Sequence, residues 1–347
     1  MSKSFIPNIA AIIPTKHAPL AIQERFIPTP SKGEMLVRNH VVAANPSDWK
    51  AHDYGVLVTE FPGVLGSEIS GVIVSVGSDV TRFKPGDCVM AIAQGVLYGN
   101  SNRAGFQTYT ILDELTTARL PNNLTFEEGA VLPVGMMTAS VALFAGLELP
   151  MREASDDELA AIVVWSGASA VGVAAVQIAH ALGWPVYATA SPKHHEWLKT
   201  LGATDVWDYR DPQVAQKISQ AIKSAGLKIR GIVDARAEGS SFDSVAEILN
   251  AAESTTGARI TTLSPWPEEK PMPQGAIVHH TDLTRFTTDY TDMTRWLFGG
   301  WLEEALKDGR VKPAPKPRVF EGGLEAAQKM LDALKAGASG EKFMLKV

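Results

Sequence analysis

Between residues 159 and 263 the chain alternates short apolar runs with amphipathic segments, and few architectures accommodate that order. Apolar Ala161 to Trp165 precedes a helical pattern from Val173 to Leu182, and Val186 to Ala190 precedes one from Lys193 to Leu201. Strand Asp205 to Tyr209, helix Val214 to Ala225, strand Gly231 to Ala235, helix Phe242 to Ala251 and strand Arg259 to Leu263 complete the series. Parallel strands need crossover connections, and connections this short supply one helix each, so the pattern predicts a parallel sheet with helices on both faces.

The flanks read differently. From Ser31 to Leu120 short strands such as Glu34–Arg38, Gly71–Val76 and Cys88–Ala91 are broken by turn residues such as Pro85-Gly86-Asp87, which predicts an all-β, barrel-like region. An apolar helix follows through Met136, Met137, Ala139 and Leu143, and these side chains are read as core. The C-terminal part reads as helix Asp292 to Lys307, a loop Pro313-Ala314-Pro315-Lys316-Pro317, helix Leu324 to Ala336 and strand Lys342 to Val347. At 347 residues the chain is long enough for two hydrophobic cores.

Several function classes are disfavoured. The net charge is -6 and no basic run is long enough to track a phosphate backbone, so no nucleic-acid partner is expected. Uninterrupted apolar runs such as Ala160 to Trp165 fall far short of the roughly 20 residues that span a bilayer. No membrane span is expected, and the N-terminal residues show no secretory h-region, so a cytoplasmic location is expected. Cys88 is the single cysteine, which excludes an intrachain disulfide and a four-cysteine zinc site, and it is read as a buried small hydrophobe. His40, His52 and the His279-His280 pair have no metal-ligand spacing and are read as core or surface residues.

The strongest chemical signal is Ser166-Gly167-Ala168-Ser169-Ala170-Val171-Gly172, placed between a buried strand and a helix. In a dinucleotide-binding turn the first glycine permits the tight bend, the second lets backbone approach the pyrophosphate, and the third allows close helix packing. Gly167 and Gly172 hold the outer places and Ser169 replaces the central glycine, with a hydroxyl able to donate to a phosphate. About 20 residues later an NAD enzyme places a carboxylate for the ribose diol. Here the sequence is Ala190-Ser191-Pro192-Lys193-His194-His195, with no acid until Glu196. Ser191 and Lys193, joined by Tyr209 and Arg210 from the next strand end, suit a 2′-phosphate, so NADPH is the expected cofactor.

Three N-terminal segments add up to a pattern: Asn45-Pro46-Ser47-Asp48-Trp49-Lys50, Gly63-Val64-Leu65-Gly66-Ser67-Glu68 through Gly71, and Val76-Gly77 through Gly86-Asp87. With Gly105-Phe106-Gln107-Thr108-Tyr109, Leu132-Pro133-Val134-Gly135-Met136-Met137-Thr138-Ala139 and Ser339-Gly340-Glu341-Lys342, the chain resembles the medium-chain dehydrogenase/reductase superfamily over nearly its whole length. Within it, the chain is similar to a zinc-independent, quinone oxidoreductase-like fungal subgroup that holds trans-acting enoyl reductases and other secondary-metabolite oxidoreductases. The resemblance implies an α/β protein: a GroES-like, β-rich catalytic domain from residues 1–133 and 286–347, and a Rossmann NADP-binding domain from 134–285 with a doubly wound parallel sheet. It implies an active site in the cleft between them. It adds Pro46, Asp48, Leu263 and Lys342 to Ser166, Gly167, Ala168, Ser169, Ala170, Val171, Ser191, Lys193 and Tyr209 as cofactor-binding residues. The partners implied are a small-molecule or carrier-bound acyl substrate and a polyketide synthase acting in trans, for a monomer or homodimer.

Zinc-dependent relatives carry cysteine and His-Glu ligands in the first domain; here Ser67 precedes Glu68 and no cysteine lies near Asp48. Glu68 alone cannot supply the three protein ligands of a catalytic zinc. Without a Lewis acid, a conjugated enoyl group is the less demanding acceptor, because negative charge develops on an enolate oxygen that hydrogen-bond donors or a cation can hold. By resemblance Lys50 is the candidate for that oxygen, Thr138 stands close to the nicotinamide, and Tyr54 is a candidate proton donor beside water. The expected reaction is NADPH-dependent reduction of an α,β-unsaturated carbonyl or polyketide enoyl thioester. A zeta-crystallin-type quinone or alkenal reductase and a non-catalytic NADPH-binding protein are the two rival readings. Trp49 to Val58, Tyr98 to Arg103 and Asp282 to Trp296, with Phe286, Tyr290, Trp296 and Trp301, are the expected pocket-lining segments.

Overall fold

A computed structural model describes residues 7–55, 58, 60–155, 160–252 and 257–347. Leu159, where the alternating pattern begins, and Val56 and Leu57 of the expected pocket lining fall outside the described residues. The chain divides into two compact units, one of Met1–Val134, Phe298–Glu304 and Lys316–Val347, the other of Gly135–Leu297 and Ala305–Pro315.

The first unit begins with strands β1 (Asn8–Ile13), β2 (Ala21–Arg25) and β3 (Glu34–Ala43), then helix α1 (Pro46–Tyr54). Strands β4 (Gly63–Val64), β5 (Glu68–Val76) and β6 (Cys88–Ile92), helix α2 (Gly95–Tyr98), strands β7 (Tyr109–Asp113) and β8 (Thr117–Arg119), and helix α3 (Phe126–Gly129) follow. Helix α1 is fixed at both ends by local chemistry. Asn45 and Asp48 form a capping box, Pro46 takes the first turn where its missing N–H costs nothing, and Gly55 closes the helix with φ 68°.

The second unit starts within α4 (Pro133–Ser140), which runs into a π-helical turn at Val141–Gly146. Its sheet and helices are β9 (Ala161–Trp165), α5 (Ala170–Ala181), β10 (Val186–Thr189), α6 (His195–Thr200), β11 (Asp205–Trp207), α7 (Val214–Ser224), β12 (Ile229–Asp234), α8 (Ser241–Ala251), β13 (Arg259–Thr262) and β14 (Ile277–His280). The six strands run in order β11-β10-β9-β12-β13-β14, every neighbour parallel. This is the parallel sheet the alternation predicts, reversing direction of growth between β9 and β12. Its core packs Val163, Ile232 and Ile260 against Ile218, Val245 and Ile248. The first of the unit's two segments ends just after α9 (Thr291–Trp296), and Ala305–Pro315 forms the second.

The chain then passes through α10 (Leu302–Lys307) and returns to the first unit as β15 (Lys316–Phe320), α11 (Ala327–Ala336) and β16 (Glu341–Lys346). There a seven-stranded sheet has the order β15-β16-β3-β5-β6-β8, with β7 also paired to β3, beside a three-stranded sheet β2-β1-β4. Met35, Val37, Ile69, Phe106, Met330 and Phe343 lie in its core.

Several sequence expectations need correction. The single helix expected from Asp292 to Lys307 is interrupted by π geometry at Leu297–Trp301 with Gly300 outside helical φ/ψ; each of Gly299 and Gly300 weakens a helix by about 1 kcal/mol, enough to let the turn open. Lys316 and Pro317, expected in a loop, begin β15. That strand lies at the sheet edge, where a proline without an N–H is tolerated. Cys88 is half-buried on β6 rather than fully buried. The helical run Phe126–Gly146 is 21 residues long and apolar enough by length and composition to span a bilayer, and 94% of its apolar window is buried inside the protein, so here it forms core.

Candidate cofactor and active site

At the end of β9 the chain must turn sharply to start α5, and Ser166 makes the bend in the left-handed region at φ 64°. The turn is pinned to β10: Ser166 N donates to Thr189 Oγ1 at 3.0 Å and Gly167 N to the Thr189 carbonyl at 2.8 Å. Gly172 has to be glycine, because a Cβ there would meet the Ser166 carbonyl oxygen at 2.2 Å. Ser169 is the helix N-cap. Its Oγ accepts from Gly172 N at 3.0 Å and donates to the Ser166 carbonyl at 2.9 Å. The hydroxyl is therefore turned inward and not toward a phosphate, which corrects the donor role read from the sequence. Helix geometry leaves the amides of Ala170 and Val171 without a helical acceptor, so the first turn of α5, with Gly167 and Ala168 before it, still fits a pyrophosphate.

At the neighbouring strand end Ala190 N donates to the Trp207 carbonyl and His195 Nε2 meets the Ala190 carbonyl at 3.0 Å, which fixes the approach to α6. Ser191 is half-buried, Lys193 is exposed and Tyr209 is 46% exposed. Arg210 stacks on Tyr209 with its guanidinium 5.5 Å from the ring, and is held by Asp208 through two bonds of 2.9 Å. Asp208 escaped the sequence reading because it lies on the third strand's exit rather than the second's. Its hydrogen bond to Arg210 holds the carboxyl below the usual carboxylate range. Burial, then Lys193 and His195, push the His194 imidazole below its ordinary value. Leu263 follows β13 and is half-buried, and Thr138 is buried on α4.

In the first unit, α1, β5 and β16 bring four polar side chains into one buried cluster. Lys342 Nζ lies 2.6 Å from Glu68 Oε2 and donates to Asn45 Oδ1 at 2.6 Å. Asn45 Nδ2 donates to Glu68 Oε2 at 3.1 Å, and Val134 N donates to Glu68 Oε1 at 2.7 Å. Asp48 accepts from Asn45 N at 2.7 Å and from Ser67 Oγ at 3.4 Å. Glu68 is fully buried, and Asp48 and Lys342 are 1% and 4% exposed. Burial drives the Asp48 carboxyl from 3.8 up to about 6, with Glu68 adding repulsion and the Asn45 amide and Lys342 opposing the rise. The structure thus places Asp48 and Lys342 inside the first unit, while Pro46 is exposed.

Lys50 and Tyr54, four residues apart, share a face of α1 about 200–240° around the helix from Asp48. Both gather on Trp49, with Lys50 Nζ 5.7 Å from its ring and the Tyr54 ring meeting it edge-on at 5.8 Å. Thr138 stands in the other unit. The residues do not fit a catalytic zinc. Both oxygens of Glu68 are taken by donors of this chain, and no group of three or more His, Cys, Asp or Glu among the described residues could hold a metal ion. His40 stacks on Phe126 at 4.2 Å, and His279 and His280 stand on β14.

Comparison with known proteins matches residues 31–130 to the alcohol dehydrogenase GroES-like domain and residues 170–280 to the zinc-binding dehydrogenase domain. The chain is 35% identical over 343 residues to trans-enoyl reductase tndF of Aspergillus flavipes, covering 97% of this chain and 98% of that one. In fold it is similar to an alcohol dehydrogenase superfamily protein from Novosphingobium aromaticivorans (TM-score 0.82, 22% identity, covering 98% of this chain and 99% of that one). It is also similar to CurK enoyl reductase (TM-score 0.76, 20% identity, covering 98% and 99%).

Proposed function

Because the chain belongs to the medium-chain dehydrogenase/reductase family and is one of its oxidoreductases, taking a nicotinamide cofactor, we propose that it uses NADPH to reduce an activated carbon–carbon double bond without zinc. The observation that carries this reading is the occupied carboxylate of Glu68: where a metal-dependent relative needs open ligands, this chain has an internal ion pair. Polarisation of the substrate then falls to hydrogen-bond donors and cations, which suits an enolate oxygen better than an alkoxide. The similarity to a named trans-enoyl reductase supports the same choice, with an acyl thioester carried by a polyketide synthase, in the cytoplasm, as the natural substrate.

When bound, NADPH would supply a hydride for the carbon β to the carbonyl. The amides of Ala170 and Val171 would hold the pyrophosphate, and Ser191, Lys193 and Tyr209 would hold the 2′-phosphate where an NAD enzyme would place an acid. Thr138 would orient the nicotinamide. Lys50 Nζ stabilises the enolate oxygen, and the exposed hydroxyl of Tyr54 or water returns a proton to the α-carbon.

Incubation with NADPH and a panel of enones, enoyl thioesters, quinones and simple ketones tests the proposal. Turnover of enoyl thioesters and enones is expected; consumption of NADPH only with quinones, or only with simple ketones, would overturn it.

A further inference from the structure

We propose that Arg236 is a pyrophosphate-holding residue of the dinucleotide site, paired with Glu238 at rest and exchanged onto the phosphates when the dinucleotide binds. The growth of the parallel sheet reverses between β9 and β12, and ligands of open parallel sheets lie in the crevice beyond the strand ends at such a point. Arg236 stands on that rim. Ala235 N donates to the Trp165 carbonyl at 3.1 Å, and Oγ of Ser169, the N-cap of α5, is 3.4 Å from the Ala235 carbonyl. The turn after β12 therefore touches the turn after β9, and Arg236 follows at the next residue.

A buried carboxylate fixes this rim. Asp234, fully buried, accepts from Arg236 N at 3.0 Å and Ala237 N at 2.9 Å through one oxygen, and from Ser241 Oγ at 2.7 Å through the other. Ser241 Oγ in turn accepts from Glu238 N at 3.1 Å, and Ala237 closes the bend at φ 50°. The backbone under Arg236 is thus set before a ligand arrives, while its side chain stays at the surface. The guanidinium lies 2.7 Å from Glu238 Oε1, and the two side chains are 59% and 58% exposed. Ion pairs this exposed contribute little and are readily exchanged. A pyrophosphate on the Ala170 and Val171 amides brings two negative charges against the one of Glu238, in a geometry that a guanidinium fork matches. Ser191, Lys193 and Tyr209 follow β10 and β11, on the other side of β9, so Arg236 serves the phosphates common to NADPH and NADH and not the 2′-phosphate.

The inference rests on the nicotinamide-cofactor reading and is independent of the double-bond substrate, so its test is binding and not turnover. Calorimetry of NADPH, NADH and adenosine 2′-monophosphate compares the unaltered protein with Arg236→Gln, Glu238→Gln and the double variant. Arg236→Gln should weaken both dinucleotides by the same factor, about tenfold, and leave the monophosphate, which has no pyrophosphate, within about twofold. Glu238→Gln should tighten both dinucleotides about threefold, and should add nothing once Arg236→Gln is in place. Unchanged dinucleotide affinity in Arg236→Gln overturns the proposal. A larger loss on NADPH than on NADH would move the guanidinium to the 2′-phosphate, and an equal loss on the monophosphate would move it to the adenosine; either overturns it as well. So does a Glu238→Gln protein whose affinity is unchanged or lower, since no exchange then takes place. If the unaltered protein binds neither dinucleotide, the cofactor reading itself fails.

Discussion

Ser166 and Ser169 divide the work of one tight turn. Ser166 occupies a backbone region that costs a residue with a Cβ roughly 1–2 kcal/mol, so Ser166→Gly should raise stability by about 1 kcal/mol in urea melts. Ser169→Ala removes an N-cap and should lower it by about 1 kcal/mol, because Gly172 N loses its acceptor. The sequence showed the serine as a departure from a glycine pattern, but which way its hydroxyl pointed depended on the Ser166 carbonyl, which only the folded turn brings near. Asp48 offers a pH test. Its folded value of about 6 lies above the unfolded 3.8, so the native protein binds the extra proton in that interval. That term therefore loses stability as pH rises from about 4 to about 6, by about 3 kcal/mol, and is flat above. His40, His194 and His279, whose imidazoles are pushed down first by burial, contribute with the opposite sign. The measurement is accordingly a difference: relative to the unaltered protein, Asp48→Asn should gain about 3 kcal/mol between pH 4 and pH 7. A constant difference across that range would refute the assignment.

At the scale of elements, the Glu68–Lys342–Asn45 cluster ties β16 and β5 to the start of α1, which carries Lys50 and Tyr54. Removing one partner of a buried pair leaves a charge uncompensated, so Lys342→Met should cost about 3–5 kcal/mol in denaturant melts. The double variant Glu68→Gln/Lys342→Met should recover most of that loss, since no lone charge remains. Five of the six strands of the parallel sheet, β9 to β13, were legible because their apolar runs alternate with helical periods. Others were not. After Asn8, β1 is a continuous apolar run with nearly every residue buried, so no period marks it as a strand, and β2 is largely exposed and held by its register with β1 and by Arg25, which donates to the Ser101 carbonyl and to Asn102 Oδ1. β14 carries His279 and His280 at the sheet edge, which read as isolated histidines. α1 is nine residues long and mostly polar, and its capping box became visible only once Asn45 and Asp48 were seen to bond each other's backbone.

For the molecule as a whole, the order of strands and helices carried the architecture, and the turn after β9 carried the cofactor class. The buried cluster of the first unit was not legible, because Glu68 and Lys342 are 274 residues apart and only the pairing of β16 with β3, beside β5, brings them together. The proposed selection of the phosphorylated dinucleotide belongs to this scale, since Ser191, Lys193 and Tyr209 come from two strand ends. NADPH should bind at least about tenfold more tightly than NADH by calorimetry, and Lys193→Ala should narrow that gap. The most direct test of metal-free hydride delivery to a double bond follows the hydride itself. With NADPH deuterated at the transferred position, chelator-treated enzyme and a crotonyl thioester, mass spectrometry of the butyryl product should find one deuterium on the β-carbon, at a rate unaffected by added zinc. Unlabelled product, or turnover abolished by the chelator and restored by zinc, would contradict the account.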